Sequence, residues 1–519
     1  MRFLVLLIAF LSFGLTAQAT TLTIGLSVFA SSMDPHFHLT GANMALARHV
    51  FDALLAQDSR QRLHPALAEE WAPVGATTWR FRLRDGVRFH DGTPFSAADV
   101  AFTLTRAPNV ANSPGSFAIY TRSIERVEII DRLTIDIHTK SPNPNLPMEL
   151  STIAVIPRHL GDGVRTADFN AGVAAIGTGP FRFADWVPGE RIVLNRNDAY
   201  WGEKPAWTRI VQRLIRSDSS RVAALLAGDV DAIEYVPASA MERLRASPKL
   251  SLATTVSNRV MFLAFDHASA TSAHATTLDG ARLDANPFKD LRVRQAISVA
   301  IDRRAIIEQM MQGFGLPAGQ ILPPGYDLTS DRLVPEPYDP DRARRLLAEA
   351  GLAGGFAVNL LAPNDRYVND EQVAQAIGQM LTRVGIRVRI DATPGNTALQ
   401  RMNRTEFGVV LWGWGSETGE PIAALRALLG TRSTSGGSGT ANRGRYSNPN
   451  LDSLLDRASA EIDRERLRAL AAEATELAIA DLALIPLYYQ PAIWALRSGL
   501  TMEPRADSYT LAFEIKPTR

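Results

Sequence analysis

The chain has 519 residues, 46% of them hydrophobic, and its 55 basic and 54 acidic residues leave a net charge of +1. Because the charges are interspersed, there is neither a basic stripe for nucleic acid nor a charged tail. With no cysteine, disulfides, thiolate metal sites and a cysteine nucleophile are excluded, and stability must come from large buried cores in about two to four domain-sized units.

Met1 and Arg2, the apolar run Phe3 to Leu15 and the small-residue triplet Ala17-Gln18-Ala19 have the build of a secretory leader. The run is too short to span a bilayer, so cleavage near Ala19 and a mature chain free in the periplasm are expected, rather than an N-terminal anchor. No cysteine follows the run, which closes the lipoprotein route, and no later stretch is long and apolar enough to be a span. Leu22, Ile24, Leu26 and Val28 then alternate with small or polar residues, predicting a half-buried strand. Trp79, Phe81 and Leu83 alternate with Arg80, Arg82 and Arg84, giving one apolar and one cationic face. Asp85-Gly86 and Asp91-Gly92 flank the short run Val87 to His90, which predicts a hairpin. Leu133, Ile135 and Ile137 alternate with polar residues and predict another strand.

Asp290 and Asp302 are set to cap two successive helices, the second stopping at Gly313. Asn369 precedes a helix with Val373, Ile377, Met380 and Leu381 on one side; Gly385 ends it and Ile386, Val388 and Ile390 start a strand. Val409 to Trp412 is a continuous apolar run, as in a strand buried on both faces. Ser433 to Gly439 reads as a mobile loop, and a long helix follows Asp463. This mixture is α/β with more than one sheet.

Catalytic and nucleotide-binding patterns are missing: the sequence has no G-x-S-x-G, H-E-x-x-H, G-x-x-x-x-G-K-[ST] or G-x-G-x-x-G. His36 and His38 share a face if extended and can hold a metal, or they are a solvated loop pair. No cofactor is expected, although carboxylate-based hydrolysis needs no such motif.

Several segments in order resemble the large periplasmic solute-binding proteins of the peptide and nickel uptake class, family 5 of the ABC-transporter receptors. They are Leu67 to Trp71, Leu83 to Val100, Gly177-Thr-Gly-Pro-Phe181, Trp201-Gly202, Ala227 to Asp231, Phe262 to Phe265, Arg292 to Ile297, Tyr338 to Leu347 and Tyr446-Ser447-Asn448. The resemblance implies an α/β two-lobed periplasmic-binding-protein fold of type II with an inserted subdomain and a hinge. Lobe I is then 20–52, 177–266 and 482–519, the insert 53–176 and lobe II 267–481, with chain crossings near Phe262 to Asp266 and Ile485 to Gln490. It also implies a monomer that captures a short peptide or peptide-like amino compound by lobe closure and passes it to an inner-membrane ABC permease. A metal chelate, an opine or a sugar is the alternative cargo, and an exported hydrolase on this scaffold is the alternative of another class.

By the same resemblance Arg366, just before the helix that Asn369 opens, takes the ligand carboxylate, unless it pairs with Asp365 or Asp370. Glu417, in the Gly-Trp-rich loop after the buried strand, stands where the family has Asp and takes the ligand amine, unless it serves a helix N-terminus. The helix role fits Glu420 better, since it adjoins Pro421. Trp412 and Trp414 offer a flat wall, Phe29 the matching edge of lobe I, and Tyr446 is either a ligand contact or packing.

Overall fold

The computed structural model describes residues 20–433 and 437–518. The expected leader lies outside the described residues, as does the middle of the Ser433 to Gly439 stretch. Among the described residues no helix is long and apolar enough to cross a membrane.

One ladder of paired strands runs through the molecule. In order it holds Ala275–Thr276, Phe356–Pro363, Val409–Trp414, Leu250–Phe265, Leu484–Arg497, Ala232–Ile233, Thr21–Leu26, Arg209–Leu214, Arg191–Arg196 and Phe181–Val187. Ile386–Thr393 pairs in parallel beside Phe356–Pro363. The two central strands, Leu250–Phe265 and Leu484–Arg497, are long and antiparallel, and their register shifts between Val256 and Val260. On one side of the shift Val260–Phe265 pairs with Val409–Trp414. On the other, Ala495 and Leu496 pair with Ile233 and Ala232.

The cores divide at the same place. Met261, Leu263 and Phe265 pack with Ile485 and Leu487 on one face of the second lobe's sheet. Val260, Phe262 and Tyr489 pack on the other face. Ala492, Trp494 and Leu496 belong to the first lobe's main core, and Ile493 and Ala495 to the core on its opposite face. Helices cover both faces of each sheet, so successive residues of these strands are buried in turn.

The insert carries its own antiparallel sheet, ordered Ala68–Gly75, Thr78–Leu83, Thr134–Thr139, Ile124–Asp131. Phe81, Leu83, Ile135 and Ile137 point to its core, while Arg80 pairs with Asp136 at 2.7 Å and Arg82 with Glu70 at 2.8 Å on the other face. That is the alternation the sequence predicts. The run Val87 to His90 pairs back across the Asp91-Gly92 turn as a minimal hairpin: Phe89 N–H donates to the Thr93 carbonyl (2.9 Å), Phe95 N–H to the Val87 carbonyl (3.0 Å), and an antiparallel bridge links Arg88 to Pro94. Val87 and Phe89 both point into the insert's core, which anchors this short pairing.

Asp290, Asp302 and Asp463 accept from backbone N–H groups at the starts of Leu291–Val299, Arg303–Met310 and Arg464–Ala480, as capping predicts. Asp370–Thr382 follows Asn369, whose φ is 52°.

Gly177-Thr-Gly-Pro-Phe181 has a packing reason. Thr178 Oγ1 and Trp201 Nε1 donate to Asp52 Oδ2, each at 2.9 Å, so this segment and Trp201 converge on one buried carboxylate. A Cβ at Gly177 would fall 1.9 Å from the Val50 carbonyl oxygen, at the end of helix Gly41–Val50. Gly177→Ala is therefore expected to lower the unfolding free energy by about 3 kcal/mol, through overpacking against backbone. Urea unfolding checks this, and an unchanged midpoint and slope contradict it.

Candidate functional site

The cleft lies where the carboxyl ends of first-lobe strands meet second-lobe loops, the usual place for ligands in α/β sheets. Strand Val409–Trp414 ends in the loop 415–420, and helix Pro421–Leu428 follows. Glu420 is the N-cap of that helix, accepting from the N–H groups of Ile422 (2.7 Å) and Ala423 (2.9 Å). Burial pushes its carboxyl up to about 7 against those hydrogen bonds. The loop is held against the first lobe and insert. Gln57 Nε2 donates to the Glu417 carbonyl (3.1 Å), Gln61 Nε2 to the Ser416 carbonyl (2.8 Å), and Asn258 Nδ2 to the same Ser416 carbonyl (2.6 Å). The lobes are therefore in contact across the cleft.

Between them lies a cavity of about 340 Å³. Phe29 lines it from the first lobe and Glu417 from the second, so two of the sequence-predicted residues come together. Tyr509 OH, on the C-terminal segment, donates to Glu417 Oε2. Burial raises the Glu417 carboxyl above its ordinary range; the Tyr509 hydrogen bond opposes this, Asp507 adds to the rise, and Arg48 and Arg259 counter it.

Sequence reasoning missed Glu234, Tyr235, Arg259 and Tyr509, which also line the cavity. Glu234 is buried and accepts from Thr510 Oγ1 (2.6 Å), Ser27 N (3.1 Å) and Ser27 Oγ (3.2 Å); burial raises its carboxyl too. Arg259 lines the cavity beside Tyr235 and sits 5.9 Å from the Tyr367 ring centroid. A charge inside the apolar strand 250–265 was the available signal for Arg259; Glu234, Tyr235 and Tyr509 carried none.

The other predicted residues lie apart from this cavity. Arg366 is exposed; its guanidinium stacks 4.9 Å over the Trp412 ring, and its Nε donates to Tyr367 OH at 3.1 Å. Asp365 is occupied by the Gly395 N–H (2.8 Å), and Asp370 by the N–H groups of Arg366 and Tyr367 (3.0 Å each). No acidic side chain among the described residues forms an ion pair with Arg366. Trp412 and Trp414 do not face the cavity: with Tyr446 they line a void of about 30 Å³ inside the second lobe. Tyr446 is packing, buried with its OH donating to Asp481 Oδ2 at 2.6 Å and its ring edge-on to His267. His36 and His38 are split. His36 is buried, bonded to the Ala154 carbonyl at 2.7 Å and pushed down to about 4 by burial, while His38 lines the cleft. Among the described residues no group of three metal-ligating side chains forms.

The cavity thus offers one guanidinium, Arg259, and three carboxylates, Glu234, Glu417 and Asp507, of which Asp507 is already paired with Arg505 and Arg48. Such groups suit a ligand that brings charges of both signs, because desolvated charge is stable only when paired.

Residues 62–436 match the model of the bacterial extracellular solute-binding proteins, family 5 Middle. A glutathione-binding protein, GsiB, of Pectobacterium atrosepticum is 28% identical over 481 residues, covering 91% of this chain and 89% of the relative. The periplasmic binding protein DppA of Helicobacter pylori, solved with the peptide STSA, matches with a TM-score of 0.79 at 23% identity, over 96% of this chain and 99% of that one. NikZ of Campylobacter jejuni, solved with Ni(L-His), matches with a TM-score of 0.78 at 22% identity, over 95% and 99%. The solved structures share the two-lobed fold.

The contact across the cleft carries a pH dependence. Glu149 on the insert, like Glu420 on the second lobe, is pushed up to about 7 by burial, and Glu420 adds to the rise at Glu149. The folded chain holds these protons where the unfolded chain, titrating near ~4.3, has released them. The stability they contribute is present below ~4.3 and is lost as pH rises toward 7, by up to about 3 kcal/mol for Glu420. Glu420→Gln keeps an oxygen for the helix cap and is expected to flatten part of this fall in thermal melts between pH 5 and 8; an unchanged fall contradicts the assignment.

Proposed function

The chain belongs to the bacterial extracellular solute-binding proteins of family 5, and from that footing we propose that it captures a short peptide or peptide-like amino compound between its lobes and delivers it to an ABC permease. The observation that carries this reading is the cavity between the lobes, which sets a guanidinium and carboxylates around a space of about 340 Å³. Its volume is at the small end of ligand pockets and suits a few residues of chain. Glu417 receives the ligand ammonium: replacing the Tyr509 hydroxyl by a cation gives the buried carboxylate a full counter-charge. The methylene by which Glu417 exceeds the family's Asp carries it across to Tyr509. Glutathione and a tetrapeptide as ligands of the relatives support a peptide-like cargo.

The hinge belongs at the break in the central ladder. We place the crossings at Ser257 to Arg259 and at Gln490 to Pro491, where the two sets of cores part, instead of near Phe262 to Asp266 and Ile485 to Gln490. Lobe I is then 20–52, 177–256 and 491–519, the insert 53–176 and lobe II 260–489. The leader 1–19 takes the chain to the periplasm and is cleaved near Ala19.

Calorimetry with free peptides of two to four residues, glutathione, a nickel–histidine chelate and an oligosaccharide tests the cargo. A peptide-like compound is expected to bind and to be recovered intact. Glu417→Ala is expected to weaken it by about 2–5 kcal/mol, roughly 30-fold to a few thousand-fold. Binding of the chelate or the sugar with no peptide bound overturns the reading, and appearance of a cleaved product restores the hydrolase alternative.

A further inference from the structure

Arg259 is a cation in an unusual place. It lies in the strand that joins the lobes, between Asn258, which is tied to Ser416 and to the Ala506 carbonyl, and Val260, which is core. Its backbone N–H donates to Ser257 Oγ at 3.2 Å, and Ser257 Oγ donates to the Gln490 carbonyl at 2.6 Å, so its position is fixed by both crossings of the chain. Its side chain is half-buried and lines the cavity shared with Glu234 and Glu417. Among the described residues it forms no ion pair within 4.0 Å. Its guanidinium lies 5.9 Å from the centroid of the Tyr367 ring, and Tyr235 lines the same wall. Tyr235 has φ of 48°, a left-handed conformation that a bulky residue adopts only where its surroundings enforce it.

This arrangement leaves a guanidinium that feels the Glu417 carboxylate through space but, among the described residues, is paired with no carboxylate within 4.0 Å. Partly desolvated cations are stabilised by a carboxylate held through two parallel N–H groups, and a neighbouring aromatic ring does not neutralise them. Arg366 also has a tyrosine hydroxyl and a ring beside it and, among the described residues, no ion pair, but it is exposed, stacked on Trp412 and absent from the cavity wall. Both arginines lie near the Tyr367 ring, 5.9 and 5.5 Å from its centroid for Arg259 and Arg366, and its OH accepts from Arg366 and donates to the Gly413 carbonyl.

We propose that Arg259, and not Arg366, receives the carboxylate of the ligand, with Glu417 across the same cavity receiving its ammonium, an assignment that rests on the peptide-receptor reading above. The cleft then selects compact amino-acid derivatives with both termini free. Because Arg259 sits at the crossing between the lobes, the ligand carboxylate binds the hinge strand itself, which links occupancy to the closed arrangement.

The test uses the whole mature chain, alanyl peptides of two to four residues as free acids, and the same peptides as C-terminal amides. The wild-type protein is expected to bind an acid at least 30-fold more tightly than its amide. Arg259→Gln is expected to bind acid and amide alike, Arg259→Lys to keep a reduced preference, and Arg366→Ala to keep the full preference. If Arg259→Gln does not fold, Arg366→Ala still decides: a retained preference supports Arg259, a lost one overturns it. A preference kept by Arg259→Gln and lost in Arg366→Ala overturns the assignment and leaves the receptor reading standing. Wild-type protein that binds none of the peptides overturns both.

Discussion

Strands Leu250–Phe265 and Leu484–Arg497 are members of both lobes at once, and the ladder between them is interrupted where the lobes part. Along most of their length each residue is fixed by backbone hydrogen bonds and by apolar packing on two faces, which leaves little freedom. At Ser257 to Arg259 the register shifts, and the ladder gives way to side-chain bonds, Ser257 to Gln490 and Asn258 to Ser416 and Gln61, beside one backbone bond from Asn258 N–H to the Ala506 carbonyl. Side-chain contacts of this kind rearrange at far lower cost than a ladder within a packed sheet. The cores on the two sides of this stretch are separate, and the proposed joint is the short stretch that belongs to neither. Hinge closure in two-domain proteins concentrates backbone change in a few such residues.

The same stretch connects motion to chemistry. Asn258 fastens the Glu417 loop while its neighbour Arg259 lines the cavity. A ligand that pairs with groups on both sides of the cleft has higher affinity for the closed form, and closure follows from that difference alone. Burial raises both Glu234 and Glu417, so an empty closed cavity disfavours their ionised forms and a cationic ligand group restores them.

Local patterns survived from sequence to structure where one force acted. The alternation at Thr78–Leu83 and Thr134–Thr139, the caps at Asp290, Asp302 and Asp463, and the buried run at Val409–Trp414 all formed, because face selection and capping are decided within a few residues. Val87 to His90 turned back at Asp91-Gly92 and paired with Thr93 to Phe95, because turn chemistry acts over the same short range. The site was half legible. Glu417 and Phe29 reached the cavity because position after a strand fixes where a loop can go. Trp412, Trp414 and Tyr446 are as apolar or aromatic as ligand walls are, and composition does not distinguish a wall from a core. Arg259 and Arg366 are chemically identical; what separates them is the company of Tyr235 on one side and solvent on the other, which only the folded arrangement supplies.

The absence of cysteine allows a direct measurement of closure. Ala227→Cys and Ala348→Cys place single spin labels on exposed ends of helices Asp218–Ala227 and Pro340–Glu349, one on each lobe and both away from the cleft. The distance distribution between them is expected to be broader without ligand, and to narrow and shift to one value when a bound peptide saturates the protein. A distribution that a saturating peptide leaves unchanged contradicts the account of ligand clamped by hinged lobes.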